Sequence, residues 1–62
     1  MNILELSNKA QKIGLYLTVD NGDKVKLVKI KADDWRYKND MRDLSICDAA
    51  IIINTLHNAL IK

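Results

Sequence analysis

The first segment of the chain has the apolar spacing of one helix face. Its apolar positions follow a 3-4-3 pattern: Ile3, Leu6, Ala10 and Ile13. Asn2 is a favourable N-cap residue, and Gly14 stands where a left-handed residue commonly ends a helix. The pattern therefore predicts a helix between these two residues, with a single apolar stripe.

Residues 15–19 and 24–27 alternate between apolar and polar side chains, which is typical of two strands of a hairpin. A two-residue turn at Asn21-Gly22 would place charged residues opposite apolar ones. A three-residue loop, 20–22, with Gly22 in the left-handed conformation keeps one face wholly apolar, and we expect this loop. The pairs predicted by this register are Leu17 with Val25 and Leu15 with Leu27.

Residues 32–39 have no clear period. Asp33-Asp34 can turn the chain, and Trp35-Arg36-Tyr37 is compatible with either a short third strand or a loop. The pattern alone leaves both interpretations open.

Residues 40–60 predict a long C-terminal helix that begins at Asn39 or Asp40. Its main apolar stripe has a 3-4-3-4 spacing: Ile46, Ala49, Ile53, Leu56 and Leu60. The triplet Ile51-Ile52-Ile53 spans about 200° of the helix circumference, which is more than one partner surface covers. A second apolar group therefore remains, and its members are the candidate residues of a homodimer interface: Leu44, Cys47 and Ile51. The alternative is that the first helix and the hairpin bury both faces.

A chain of 62 residues suits one small domain, covering residues 1–62. Domains of this size usually need disulfides, metals or oligomerisation. One cysteine excludes an internal disulfide, and one cysteine with one histidine cannot supply a zinc-site ligand set. Oligomerisation is the remaining way to stabilise a domain of this size, and we expect a homodimer.

No stretch resembles a secretory signal or a membrane span. Together with the lone cysteine, this favours a cytoplasmic protein without membrane contact. The abundance of Lys, Asn and Ile suits an AT-rich bacterial, phage or plasmid genome, such as those that encode small accessory or inhibitor proteins.

The middle of the chain is basic. Between residues 24 and 38, six basic residues against Asp33 and Asp34 give a net charge of +4. The candidate residues for a partner or nucleic-acid surface lie here: Lys24, Lys26, Lys29, Lys31, Trp35, Arg36, Tyr37 and Lys38. Lysines could contact phosphates and an aromatic ring could stack on a base. The simpler interpretation is a solvated strand face, with the tryptophan folded back onto the core.

No residue pattern predicts catalysis, a cofactor or a metal. His57 falls beside the apolar stripe of the last helix, and Cys47 has no histidine at a helical neighbour spacing. Capping and turn roles account for the acidic residues.

The sequence therefore predicts an α+β fold: an N-terminal helix, an antiparallel hairpin with the third strand left open, and a long C-terminal helix packed on the sheet. With a third strand at residues 35–37, this order is similar to that of double-stranded-RNA-binding domains. Those domains carry a lysine cluster at the start of their second helix, where residues 40–44 of this chain are net negative. The predicted function is a non-enzymatic protein–protein interaction module, with a nucleic-acid-binding regulator as the alternative.

Overall fold

The computed structural model describes residues 2–61. Five elements follow one another along the chain: α1 (Ile3–Lys12), β1 (Leu15–Asn21), β2 (Lys24–Lys29), β3 (Met41–Leu44) and α2 (Ile46–Leu60). The strands form one antiparallel sheet in the order β1-β2-β3, and α1 and α2 contact each other and the sheet. The predicted α+β class is confirmed, and the sheet contains the third strand that the sequence left open.

Helix α1 begins and ends where the sequence predicted. The Asn2 side chain accepts a hydrogen bond of 2.9 Å from the Leu4 main-chain N–H, and Gly14 has a φ of +86°. Of the predicted stripe, Leu6, Ala10 and Ile13 are buried, whereas Ile3 in the first turn is exposed. Ile3 belongs to the predicted apolar stripe but lies at the helix end, outside the buried cluster.

The predicted hairpin register is wrong: each residue of β1 pairs with a residue of β2 two positions further along the chain than expected. Leu17 faces Leu27 and Val19 faces Val25, and the register shifts between Val19 and Asn21. Asp20 is the extra residue of a bulge, which moves the turn toward the C-terminus. Because the shift is by two residues, every side chain stays on its predicted face, so the apolar face forms as expected. Gly22 is left-handed, with a φ of +60°.

The third strand and the start of α2 differ from the prediction. Residues 35–37 form a loop, and residues 41–44, predicted as helix, form β3. Asp43 has a φ of +59°, which a right-handed helix cannot contain, and it lies where β3 shifts register against β2. Ser45 is the N-cap residue of α2, accepting a hydrogen bond of 3.1 Å from the Asp48 N–H. The expected cap Asp40 instead accepts a hydrogen bond of 3.1 Å from the Lys29 N–H.

One hydrophobic cluster joins both helices to the apolar face of the sheet. Its buried members are Leu6, Ala10, Ile13, Leu15, Leu27, Tyr37, Ala50 and Ile53. Leu60, predicted on the α2 stripe, is largely exposed at the end of the helix. Within residues 2–61, neither helix is long and apolar enough to cross a membrane.

Candidate interaction surface

The loop between β2 and β3 is fixed at its centre by Tyr37. The side chain is buried in the core, and its hydroxyl donates a hydrogen bond to the main-chain carbonyl of Ile13 at the end of α1. Burial raises the pKa of the Tyr37 phenol. Tyr37 is therefore a structural anchor of the loop rather than an exposed aromatic.

A second anchor lies just before Tyr37. The Arg36 guanidinium donates two hydrogen bonds to the Asp34 carboxylate, Nε to Oδ1 at 3.0 Å and Nη2 to Oδ2 at 2.7 Å. The same carboxylate accepts a hydrogen bond of 3.1 Å from the Arg36 N–H. These bonds lower the pKa of Asp34 to about 2. We call this two-pronged contact the Asp34–Arg36 fork.

The fork rests against Gly14. The Arg36 guanidinium occupies the space that a Cβ atom on Gly14 would need, and the Asp34 carboxylate also lies beside it. The guanidinium carbon is 5.4 Å from the centre of the Tyr37 ring, a distance suited to a cation–π contact. The loop is thus held against the junction of α1 and β1 by contacts at Ile13 and Gly14.

Between Asp34 and Arg36, the two residues of the fork, Trp35 points away from the protein. Its side chain is 90% exposed. The expectation that the tryptophan folds back onto the core is wrong, because Tyr37 occupies that position. A cleft beside Trp35 is lined by Lys31, Asp33 and the fork. The exposure of Trp35 favours the interpretation of this loop as a binding surface.

The basic residues of the middle segment do not form one surface. Lys24 and Lys26 lie on β2, where they alternate with the buried Val25 and Leu27 and so project from the opposite face of the sheet. The Lys29 Nζ donates a hydrogen bond of 3.2 Å to the Ala32 carbonyl. The remaining members lie in the loop around Trp35: Lys31, Arg36 and Lys38. The fold separates the segment into two regions, and Arg36 is already paired with Asp34.

An open apolar groove of about 500 Å³ lies next to the Trp35 loop, between the loop and α2. Arg36 marks the boundary, because it lines both this groove and the cleft beside Trp35. Ile51, which is 65% exposed, contributes to the α2 side. The groove is lined by Arg36, Tyr37, Lys38, Asn39, Met41, Ile51, Ile52, Thr55 and Leu56.

The three residues expected at a dimer interface do not lie on one helix. Leu44 belongs to β3 and packs partly buried against the core. It was misplaced because its spacing from Cys47 and Ile51 also fits a helix. Cys47 and Ile51 are exposed on α2, one turn apart. Ile51 lines the groove, whereas Leu44 lies apart from it on β3.

Side chains with the chemistry of a metal site are dispersed in the described part of the chain. Residues 2–61 contain no group of three or more His, Cys, Asp and Glu side chains that could hold a metal ion. No family model, curated protein or solved structure matches this sequence. A function for this protein is therefore proposed from the geometry of its surface.

Sequence reasoning missed the fork and most of the groove. A local signal for the fork exists, since an aspartate readily accepts a hydrogen bond from the N–H two residues later, as Asp34 does from Arg36. The groove has no such signal, because its two sides come from the loop and from α2.

Proposed function

We propose that the protein is a small, non-enzymatic protein–protein interaction module that acts as a homodimer. One observation carries this proposal: a tryptophan that is 90% exposed stands on an anchored loop beside an open apolar groove. Tryptophan is among the residues that contribute most to binding at protein interfaces. Large apolar groups exposed together commonly mark such interfaces.

The anchors of the loop support the proposal. Tyr37 and the Asp34–Arg36 fork restrain the residues on both sides of Trp35. A side chain presented by a restrained backbone loses less conformational entropy on binding than one on a free loop. The loop is thus suited to binding through Trp35.

The proposed setting is the cytoplasm of a bacterial cell, where the protein is an accessory or inhibitor protein encoded by a phage or another mobile element. The exposed, unpaired Cys47 thiol is compatible with a reducing compartment. The chain's richness in Lys, Asn and Ile supports the mobile-element origin.

One observation favours the alternative function, a small nucleic-acid-binding regulator. Lys31 lines the same cleft as the exposed Trp35 ring, so a base could stack while the lysine contacts a phosphate. The Asp34–Arg36 fork weakens this alternative, because it ties up the arginine nearest to Trp35.

The test is to identify what covers residue 35 in cells. A photocrosslinking amino acid replaces Trp35, and in a matched control it replaces Leu4, which is 66% exposed and lines neither the groove nor the cleft. The proposal predicts a crosslink to protein, a second copy or another chain, from position 35 and not from position 4. A crosslink to nucleic acid supports the alternative. Equal labelling from both positions contradicts a binding surface at the loop.

A further inference from the structure

The surface around Arg36 carries a projection and a recess side by side. The projection is Trp35, and the recess is the groove of about 500 Å³ between the loop and α2. Arg36 belongs to the boundary between them. A surface with both features can bind a second copy of itself, because a two-fold axis between them places each projection at the other copy's recess.

We propose that a second copy of this chain covers the groove, with Trp35 of each copy entering the groove of the other about a two-fold axis near Arg36. This inference rests on the homodimer of the proposed function and names its contact surface. The interface is isologous, so the same residues are buried twice and the assembly closes at two chains.

The polarity of the groove favours an indole ring as the occupant. The groove of about 500 Å³ is open to solvent and its lining surface is mostly apolar, and an aromatic ring that enters such a site buries about 150–250 Å² of its own surface. The sides that the ring would contact include Met41, Ile51 and Ile52. The same docking covers the side chain of Ile51, which is otherwise 65% exposed.

Charged side chains lie beside both features. Lys31 and Asp33 line the cleft on the Trp35 side, and Lys38 lies at the groove. When Trp35 enters the partner's groove, the Asp33 carboxylate can pair with the partner's Lys38 and offsets the repulsion between that lysine and Lys31. Arg36 lies closest to its own symmetry mate, and the bound Asp34 carboxylate neutralises it there. The arginine that would otherwise repel its copy is thus compensated within each chain.

The first experiment measures the molar mass of the purified full chain by light scattering over a dilution series. The variants are Trp35→Ala, which removes the projection, Ile51→Asp, which places a charge in the recess, and the matched control Leu4→Asp. The proposal predicts two-chain mass for the wild type and Leu4→Asp, and one-chain mass for the other two. Both altered side chains are exposed in the single chain, so far-ultraviolet circular dichroism should show folded variants.

The second experiment mixes Trp35→Ala with Ile51→Asp. The first variant keeps an intact recess and the second an intact projection, so the mixed pair has one complete contact that neither variant can form alone. The proposal predicts that the mixture associates more tightly than either variant by itself. A mixture no tighter than its components overturns the reciprocal docking.

Two further results would overturn the inference. One is a wild type with one-chain mass at every concentration, and the other is a Trp35→Ala variant that dimerises as the wild type does. If position 35 nevertheless crosslinks to a different protein in cells, the interaction-module function stands and only the self-docking fails. If it crosslinks to nucleic acid, both fail.

Discussion

The Tyr37 hydroxyl donates a hydrogen bond to the Ile13 carbonyl, which ties the loop before β3 to the end of α1. This bond crosses 24 positions of sequence and is buried. It fixes the residue two places after Trp35, so the exposed tryptophan depends on a contact made inside the core.

Replacing Tyr37 with phenylalanine should destabilise the protein by about 1–2 kcal/mol, because the Ile13 carbonyl loses its side-chain donor while the ring stays buried. Urea unfolding measures the change. Tyr16→Phe is the matched control, since Tyr16 is exposed on β1, and it should change the free energy of unfolding by less than about 0.5 kcal/mol. Equal losses in the two variants would contradict the anchoring role of Tyr37.

Substitution of the two glycines separates the effect of the Arg36 contact on stability from the effect of backbone strain. Both have positive φ, +86° for Gly14 and +60° for Gly22, so alanine at either position should cost about 1–2 kcal/mol. At Gly14 the new Cβ also displaces the Arg36 guanidinium, whereas at Gly22 it meets open space. Gly14→Ala should therefore lower the urea midpoint more than Gly22→Ala. The reverse order would show that Arg36 does not rest against Gly14.

The Asp34–Arg36 fork should make the free energy of unfolding decrease at acidic pH. The fork lowers the folded-state pKa of Asp34 to about 2 from its ordinary 3.8, so this stabilisation is complete above about pH 4 and is lost as the pH falls through 2. Wild-type stability should fall over this window, and Asp34→Asn should lack that part of the fall. Asp33→Asn leaves the fork intact and should follow the wild type. Parallel curves for wild type and Asp34→Asn in urea unfolding would contradict the fork.

The left-handed backbone of Asp43 should prefer glycine to alanine. Its φ is +59°, and its N–H donates a hydrogen bond of 2.9 Å to Asp20 Oδ2, a contact that either substitution leaves possible. Asp43→Ala should therefore be less stable than Asp43→Gly by about 1 kcal/mol. Thermal unfolding of the two variants compares them directly, and equal stability would count against the bulge in β3.

The elements with local signals were predictable from sequence. The cap at Asn2, the left-handed Gly14 and the alternation of the hairpin each depend on residues a few positions apart, and α1 and the sheet face form as expected. The exact register was not predictable, because the bulge at Asp20 also serves a distant contact with Asp43.

The start of α2 and the loop depend on partners that are far away in sequence. Met41 and Leu44 fit a helical spacing, but their positions opposite Leu27 and Val25 make them a strand. Trp35 and Tyr37 are both large aromatics, and the contacts that bury Tyr37 rather than Trp35, including the hydrogen bond to the Ile13 carbonyl, come from residues far away in sequence. The sequence indicated which segment of the chain forms the candidate surface. It did not indicate that Trp35 is exposed or that a groove lies beside the loop.

Trp35 is the only tryptophan of the chain, so its fluorescence reports directly on the central claim that a second copy covers it. A buried indole emits at shorter wavelength than a hydrated one. On dilution of the wild type, the account predicts emission that moves from the buried to the hydrated wavelength, in step with the fall from two-chain to one-chain mass. Ile51→Asp should show hydrated emission at every concentration. Hydrated emission from a wild type of two-chain mass would contradict the account, because the dimer would then leave Trp35 uncovered.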